Sequence, residues 1–175
     1  MVARKKEDSD TPVVSHSEVA AHLVQLISLT TSCYNVGIIW MTQLGYRLWA
    51  HVKPSEFEDY HRAWWSGWRG IQPLSFPSGI VATLGSLAQL GWRTPRVPVW
   101  LVWLNITLQM QSWLLTAVLW APLQAQPRRA RQEDGSLDPL FQRLLVTHWL
   151  RVALFTACGA MQFWMAVRSF LSRNR

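Results

Sequence analysis

The most informative feature of this 175-residue sequence is a shortage of charge over long distances. No ionisable side chain occurs in the thirty-one residues from Val97 to Pro127. As a helix at about 1.5 Å per residue, such a run exceeds the ~30 Å hydrocarbon layer of a bilayer. The run is too long for an ordinary buried helix of a soluble domain, so the sequence predicts an integral membrane protein.

Cysteine and acidic residues are scarce as well, and each shortage excludes a class of site. The two cysteines, Cys33 and Cys158, both fall inside apolar runs, which excludes a disulfide framework and a zinc-binding spacing. Ten acidic residues against seventeen basic ones give a net charge of +7. Without a basic soluble domain, this excess fits contact with anionic membrane lipid and excludes nucleic acid as a partner.

Four apolar runs predict a multi-pass, all-α bundle of four transmembrane helices. A charged tail at 1–18, predicted to be disordered, precedes the 19–167 membrane domain, and a basic tail at 168–175 follows it. Both termini then lie on one side, and eight Lys and Arg residues on each side leave the orientation open. The predicted spans are 19–46, 70–92, 97–124 and 144–167.

A short amphipathic helix is predicted at 55–69, between the first two spans. Ser55 and Glu58 match a capping box, and aromatic residues recur at helical spacing, which is typical of a helix lying in the membrane interface. Glu58 and His61 also match the E-x-x-H spacing of di-iron carboxylate bundles. One such pair, with no carboxylate inside any span, supplies too few ligands, so no metal is expected. The aromatic residues are Phe57, Tyr60, Trp64 and Trp68.

Polar residues recur at helical spacing inside the spans, where lipid cannot satisfy their hydrogen bonds. The stripes should therefore face inward. They either link helix to helix or line a partly hydrated cavity for an amphipathic ligand. The candidate ligand-binding residues are Gln43, Asn105, Gln109, Ser112 and Thr116.

Arg151 and His148 are the most unusual of the polar residues. They are three apart and share a helix face. Arg151 lies about seven residues, roughly 10 Å, into the fourth span, where an ionised Arg is costly and has no acidic partner. It either snorkels to the interface or binds an anionic or carbonyl-bearing ligand. The candidate catalytic residues are Arg151, as an oxyanion anchor, and His148 or His61, as an acid or base near neutral pH.

Several short runs also resemble a known family. Leu144–Val152, Gly37–Gln43, Phe57–Trp65 and the Ala-Pro-Leu at 121–123 are similar to segments of an uncharacterised family of bacterial four-helix integral membrane proteins. The resemblance covers about residues 19–167, with His148 where that family has Asn. More distantly, the chain resembles the domain shared with anthrone oxygenases, membrane proteins that oxidise polycyclic phenolic substrates without an evident cofactor. The resemblance implies a bacterial inner membrane and the four-helix fold.

Two functions remain open at this point. The first is binding of a lipophilic, partly polar small molecule inside the bundle, with a cofactor-free oxygenase or other modifying activity as one form of it. The second is an accessory subunit of a larger respiratory or photosynthetic membrane complex. In that case tryptophan-rich faces would contact protein, lipid or pigment, and His22 or His148 could serve as an axial ligand. The sequence does not identify a cofactor.

Overall fold

The computed structural model describes residues 15–126 and 129–170, apart from the side chains at 68 and 71–75. Within these residues the regular secondary structure is helical, which confirms the all-α prediction, and the one extended pairing is an isolated bridge between Arg131 and Leu137. The helical elements are α1 (His16–Trp49), α2 (Phe57–Ala88), α3 (Val99–Leu115), a π-helical segment (Thr116–Trp120), α4 (Ala121–Ala125) and α5 (Pro139–Phe170).

The first and last helices extend into the regions predicted as tails. The Ser15 hydroxyl accepts a hydrogen bond from the backbone N–H of Glu18 at 3.3 Å, so it caps α1 and starts the helix at residue 16. The disordered tail predicted for 1–18 is therefore wrong for its last residues, and 1–14 lie outside the described residues. At the other end α5 continues to Phe170, past the start predicted for the basic tail, whose remainder also lies outside the described residues.

The interfacial helix predicted at 55–69 is not a separate element. Residues 57–88 form one continuous helix of 32 residues, with no boundary at 70. At 1.5 Å per residue it is about 48 Å long. A glycine such as Gly70 costs only about 1 kcal/mol in a helix, too little to end it. The capping box is also absent, because the N-cap makes no side-chain hydrogen bond and Glu58 instead pairs with Arg62 at 3.2 Å.

The third predicted span is helical to residue 125, but its winding changes on the way. The α-helix ends at Leu115 and is followed by the π-helical segment and then α4. Pro122 supplies the reason, since it has no N–H to donate to the carbonyl of Val118 and its ring would clash with that carbonyl. A wider turn ahead of the proline relieves the clash. The two ends of this segment, Thr116 and Trp120, both belong to the site described below.

The fourth predicted span begins five residues earlier than expected, at Pro139 rather than 144. The Asp138 carboxylate accepts the N–H groups of Leu140 at 2.9 Å and Phe141 at 3.4 Å, and thus caps the helix. The preceding loop is tied to the end of α1, because the guanidinium of Arg131 donates to the carbonyl of Ala50 at 2.8 Å.

The four long helices pack in a cyclic order, because α1 and α3 each contact both α2 and α5. Glycines allow the closest approaches to α1: Gly85 of α2 lies directly against Ser28, and Gly159 of α5 lies against Val36. The arrangement has two ends. The terminal end is where α1 begins and α5 finishes, and the loop end is where α1 finishes and α5 begins.

Polar side chains lie inside this structure, as predicted for the stripes, while many large apolar side chains lie on its surface. Buried polar residues come from α1, α2, α3 and α5, whereas Met41, Leu114 and Val146 are each more than 60% exposed. Two described helices, α1 and α5, are long and apolar enough to cross a membrane. The buried polar residues are Gln25, Ser28, Ser32, Asn35, Gln43, Ser86, Gln89, Asn105, Gln109, Ser112, Gln124, His148, Gln162 and Ser169.

Candidate ligand-binding site

A cavity of about 200 Å³ lies between the helices in the half of the structure nearer the loop end. Its walls combine four aromatic side chains with hydroxyl and amide groups and one cation, Arg151. Such a mixture suits a ligand with an apolar body and a polar end. The aromatic residues are Trp65, Phe76, Trp113 and Phe155, and the polar ones include Ser32, Asn35, Thr42, Thr83, Gln109, Ser112, Thr116 and Gln124.

Among the residues that the structure describes, Arg151 is the single charged group on this cavity. Its guanidinium carbon lies 5.4 Å from the ring centroid of Trp120 and 5.9 Å from that of Phe155. The Nε atom is buried and has no hydrogen-bond partner among the described residues. The ion pairs found in that part of the chain lie at residues 53–62 and 129–138, on exposed segments. The cation therefore lies against aromatic faces, and its Nε–H has no acceptor among the described residues.

His148 does not face the cavity. Its ring is completely buried, and its Nδ1 lies 2.7 Å from the side-chain oxygen of Gln43. The ring centroid is 5.0 Å from that of Tyr46 and 6.3 Å from that of Trp120. The structure thus pairs two of the predicted site residues, Gln43 and His148, behind the cavity wall, with neither on the cavity surface.

Unpartnered polar atoms concentrate around this pair. Eight buried side-chain atoms lack a hydrogen-bond partner among the described residues, and six of them belong to residues at the loop end. Buried polar groups are normally hydrogen-bonded, so such a concentration indicates missing partners. These six residues form the loop-end cluster: Gln43, Tyr46, Trp49, Trp120, His148 and Arg151.

His61 lies outside the cavity mouth rather than in it. Its Nε2 atom is 3.1 Å from the backbone oxygen of Gln124 and accepts the indole N–H of Trp65 at 2.9 Å. Trp65 and Gln124 both line the cavity, so His61 joins two wall residues from the outside. Burial lowers the pKa of His61, and the contact with the Gln124 carbonyl opposes this shift more weakly.

A second polar group, the amide network, closes the interior toward the terminal end. Gln25, Gln89 and Gln162 bond to one another at 3.0 to 3.2 Å, so the network joins α1, α2 and α5. The Ser86 hydroxyl accepts bonds from Gln162 at 3.2 Å and from two residues of α3, Asn105 at 3.0 Å and Gln109 at 2.7 Å. Of the predicted ligand-binding residues, Asn105 thus belongs to this network alone, and Gln109 reaches both the network and the cavity.

No metal site is found in the described residues. They contain no group of three or more His, Cys, Asp or Glu side chains arranged to hold a metal ion. Glu58 is paired with Arg62, and His22, one of the two axial-ligand candidates, stacks on Phe170 with ring centroids 4.9 Å apart at the terminal end.

Several residues of the site were not selected by sequence reasoning, among them Trp65, Gln124 and Phe155 on the cavity and Trp120 beside the cation. Phe155 is four residues after Arg151 on the same helix face, a spacing that could have identified it. The other three are brought to the site by packing between helices, which leaves no local signal.

Comparison with known proteins yields no relative. No family model, no curated protein and no solved structure matches this chain. The resemblance drawn from short runs therefore stays a prediction, and the function has to be argued from the site.

Proposed function

We propose that the chain is a multi-pass membrane protein that crosses the bilayer four times. The support is the distribution of polarity. A water-soluble fold rarely exposes many large apolar side chains along each of its long helices while burying fourteen polar ones, which is the pattern expected when lipid surrounds the helices. The helical path from 99 to 125 and the last two-thirds of α2 are each about 30–40 Å long, enough for the two spans besides α1 and α5.

The topology can be tested by cysteine accessibility. Ser9, Ser136 and Ser172 would each be changed to Cys in a variant lacking Cys33 and Cys158. Four crossings put position 136 on the opposite side from the other two, so a membrane-impermeant maleimide applied to intact cells should label either 136 alone or only the termini. Equal labelling of all three before permeabilisation would contradict the four crossings.

Within that membrane protein, we propose that the cavity binds a lipophilic small molecule with a polar end, and that Arg151 anchors the polar end. The observation that carries this proposal is a buried guanidinium on a cavity of about 200 Å³, with an unpartnered Nε–H and no acidic partner among the described residues. An ionised side chain inside a membrane is costly and marks functional sites. Chemical modification of the bound molecule, such as a cofactor-free oxygenation, is one use of such a site. Neither His61 nor His148 lines the cavity, so an acid or base role for either needs a water molecule or a small movement to connect it with the bound molecule.

Native mass spectrometry of the gently extracted protein tests ligand binding. Wild type should carry a small molecule that Arg151→Leu loses. Arg47→Leu is a matched control, because Arg47 lies at the same end, over the ring of Trp149 at 5.3 Å, but on the exposed surface. Retention of the same molecule by Arg151→Leu would contradict the anchoring role.

The second candidate, an accessory subunit, has its own support at the terminal end. Trp92, Trp100, Trp103 and Trp164 are each more than half exposed there. Tryptophans at the membrane interface serve lipid contact, but they also suit a protein interface. The same spectra decide between the two functions, because a subunit should be released with a partner chain in a fixed ratio and an independent binder should not.

A further inference from the structure

The unpartnered polar atoms of the loop-end cluster are mostly hydrogen-bond donors. Indole N–H groups can only donate, and those of Trp49 and Trp120 are buried and unpartnered. The Nε–H of Arg151 and the amide nitrogen of Gln43 are two further donors in the same state. Among these four residues Arg151 lines the cavity, so its guanidinium is the donor that a molecule in the cavity can reach.

The net charge around Arg151 also favours an anionic ligand. The sequence contains no Asp or Glu between Glu18 and Glu56, between Asp59 and Glu133, or after Asp138. No carboxylate of α1 beyond its first turn, of α3, or of α5 is thus available to neutralise Arg151. A molecule that binds beside this cation gains most if it carries one negative charge.

The walls and the volume limit the rest of the molecule. Four aromatic side chains line the cavity, and flat rings pack well against them. A dry cavity of about 150 Å³ holds one benzene ring. The cavity of about 200 Å³ therefore suits a body between one ring and two fused rings.

We propose that the ligand is an aromatic monocarboxylate, with its carboxylate on Arg151 and its ring system between the aromatic walls. This inference rests on the proposed small-molecule function and narrows it to one chemical class. A carboxylate is ionised at neutral pH and presents two acceptor oxygens to a guanidinium, whereas an ordinary phenol, with a pKa near that of Tyr at about 10, stays protonated.

The test compares three probes of nearly equal shape: 2-naphthoate, the neutral 2-naphthamide and naphthalene. Binding to the protein in lipid nanodiscs would be measured by equilibrium dialysis, with empty nanodiscs to subtract partitioning into lipid. Wild type should bind naphthoate at least about tenfold more tightly than naphthamide, because only the carboxylate neutralises the guanidinium. Arg151→Gln, which keeps two N–H donors and loses the charge, should abolish that preference while naphthalene still binds. Arg47→Leu should leave it unchanged.

Each outcome decides something different. Equal affinities for all three probes in wild type would overturn the carboxylate assignment but leave the small-molecule function in place. No binding of any probe would overturn both. If Arg151→Gln fails to fold, Arg151→Lys replaces it, because an ammonium keeps the charge but lacks the planar fork that binds both carboxylate oxygens. That variant should weaken naphthoate at least about fivefold and naphthalene not at all, since one charge-assisted hydrogen bond is lost. An unchanged naphthoate affinity in both variants would overturn the assignment.

Discussion

The two ends of the interior contain similar polar residues in opposite states. Toward the terminal end, Gln25, Gln89 and Gln162 saturate one another, with Ser86 as a shared acceptor. Toward the loop end, six buried groups in the loop-end cluster lack partners. Two buried atoms toward the terminal end, Ser28 Oγ and Asn105 Oδ1, also lack a partner among the described residues. Each can accept a hydrogen bond from one N–H group or one water molecule. The comparison separates polar residues that bond to one another across helices from polar residues with an atom that has no partner among the described residues.

The difference also explains why burial alone is a poor guide to function. Gln162 and His148 are both completely buried on α5. Gln162 contacts three polar residues on two other helices, so its role is explained by the contacts themselves. His148 contacts Gln43 with one nitrogen and leaves Nε2 without a partner. Substitutions at the two ends should therefore change stability in opposite directions.

The largest effect is expected for Gln162→Leu. The change removes the side-chain bonds of Gln162 to Gln25, Gln89 and Ser86 and takes away the donor to Gln89 Oε1, so the free energy of unfolding should fall by about 1–3 kcal/mol. Thermal unfolding in detergent measures the loss. Gln142→Leu on the exposed surface of the same helix is the control and should be nearly neutral. An equal loss in both variants would show that leucine on α5, rather than the network, is responsible.

Arg151→Leu should change the free energy of unfolding in the opposite direction. It removes an ion that costs up to about 2.5 kcal/mol in a bilayer, so the stability of the ligand-free protein should rise or stay the same while the ligand is lost. Arg151→Lys separates anchoring from snorkelling. A flexible ammonium reaches headgroups as well as a guanidinium does, but it cannot reproduce the planar fork that binds two acceptor atoms. Co-purified ligand and melting temperature would be measured together. If the Leu variant unfolds and the Lys variant keeps the wild-type ligand, Arg151 is structural.

Trp120→Phe sharpens the comparison with a smaller change. It removes one unpartnered N–H and keeps an aromatic ring for the Arg151 cation, which lies 5.4 Å from the present ring. Removing an unsatisfied donor offsets the lost ring volume, so the net change in stability should stay within about 1 kcal/mol of zero. Trp113→Phe is the matched control, because the Trp113 N–H donates to Thr83 at 3.1 Å. That variant should be the less stable of the two, and the reverse order would contradict the distinction between satisfied and unsatisfied groups.

The sequence predicts the inward polar faces well, because lipid-exposed amides and hydroxyls are costly whatever the neighbouring helices are. It therefore identifies Gln109, Ser112, Thr116 and Arg151, which line the cavity. It does not predict that Gln43 pairs with His148, since that contact depends on the axial register of α1 against α5. A shift of one turn, about 5.4 Å, would separate the two side chains.

The errors in the predicted helix boundaries also have local causes. Gly70 was interpreted as a boundary, but the backbone remains helical through it. The third span was predicted as one continuous helix through Pro122, whereas a π-helical turn precedes that proline. Glycine and proline each destabilise a helical backbone. In this structure a change of winding, or packing against the neighbouring elements, offsets that cost.

The smallest predicted effect concerns pH and His61, at the boundary between the cavity and the surface. Its Nε2 can accept from Trp65 only when unprotonated, and it can donate to the Gln124 carbonyl only when it carries a proton. Burial lowers the pKa of His61 in the folded protein, so between that value and the unfolded value of about 6.5 the unfolded chain binds more protons. Stability should therefore be complete above about pH 6.5 and decrease as the pH falls below it. Because the ring is partly exposed and screened by solvent, the effect should be on the order of 1 °C in Tm between pH 7.5 and 5.5. The difference between wild type and His61→Asn isolates it from the other histidines, and a parallel pH dependence of the two proteins would contradict it.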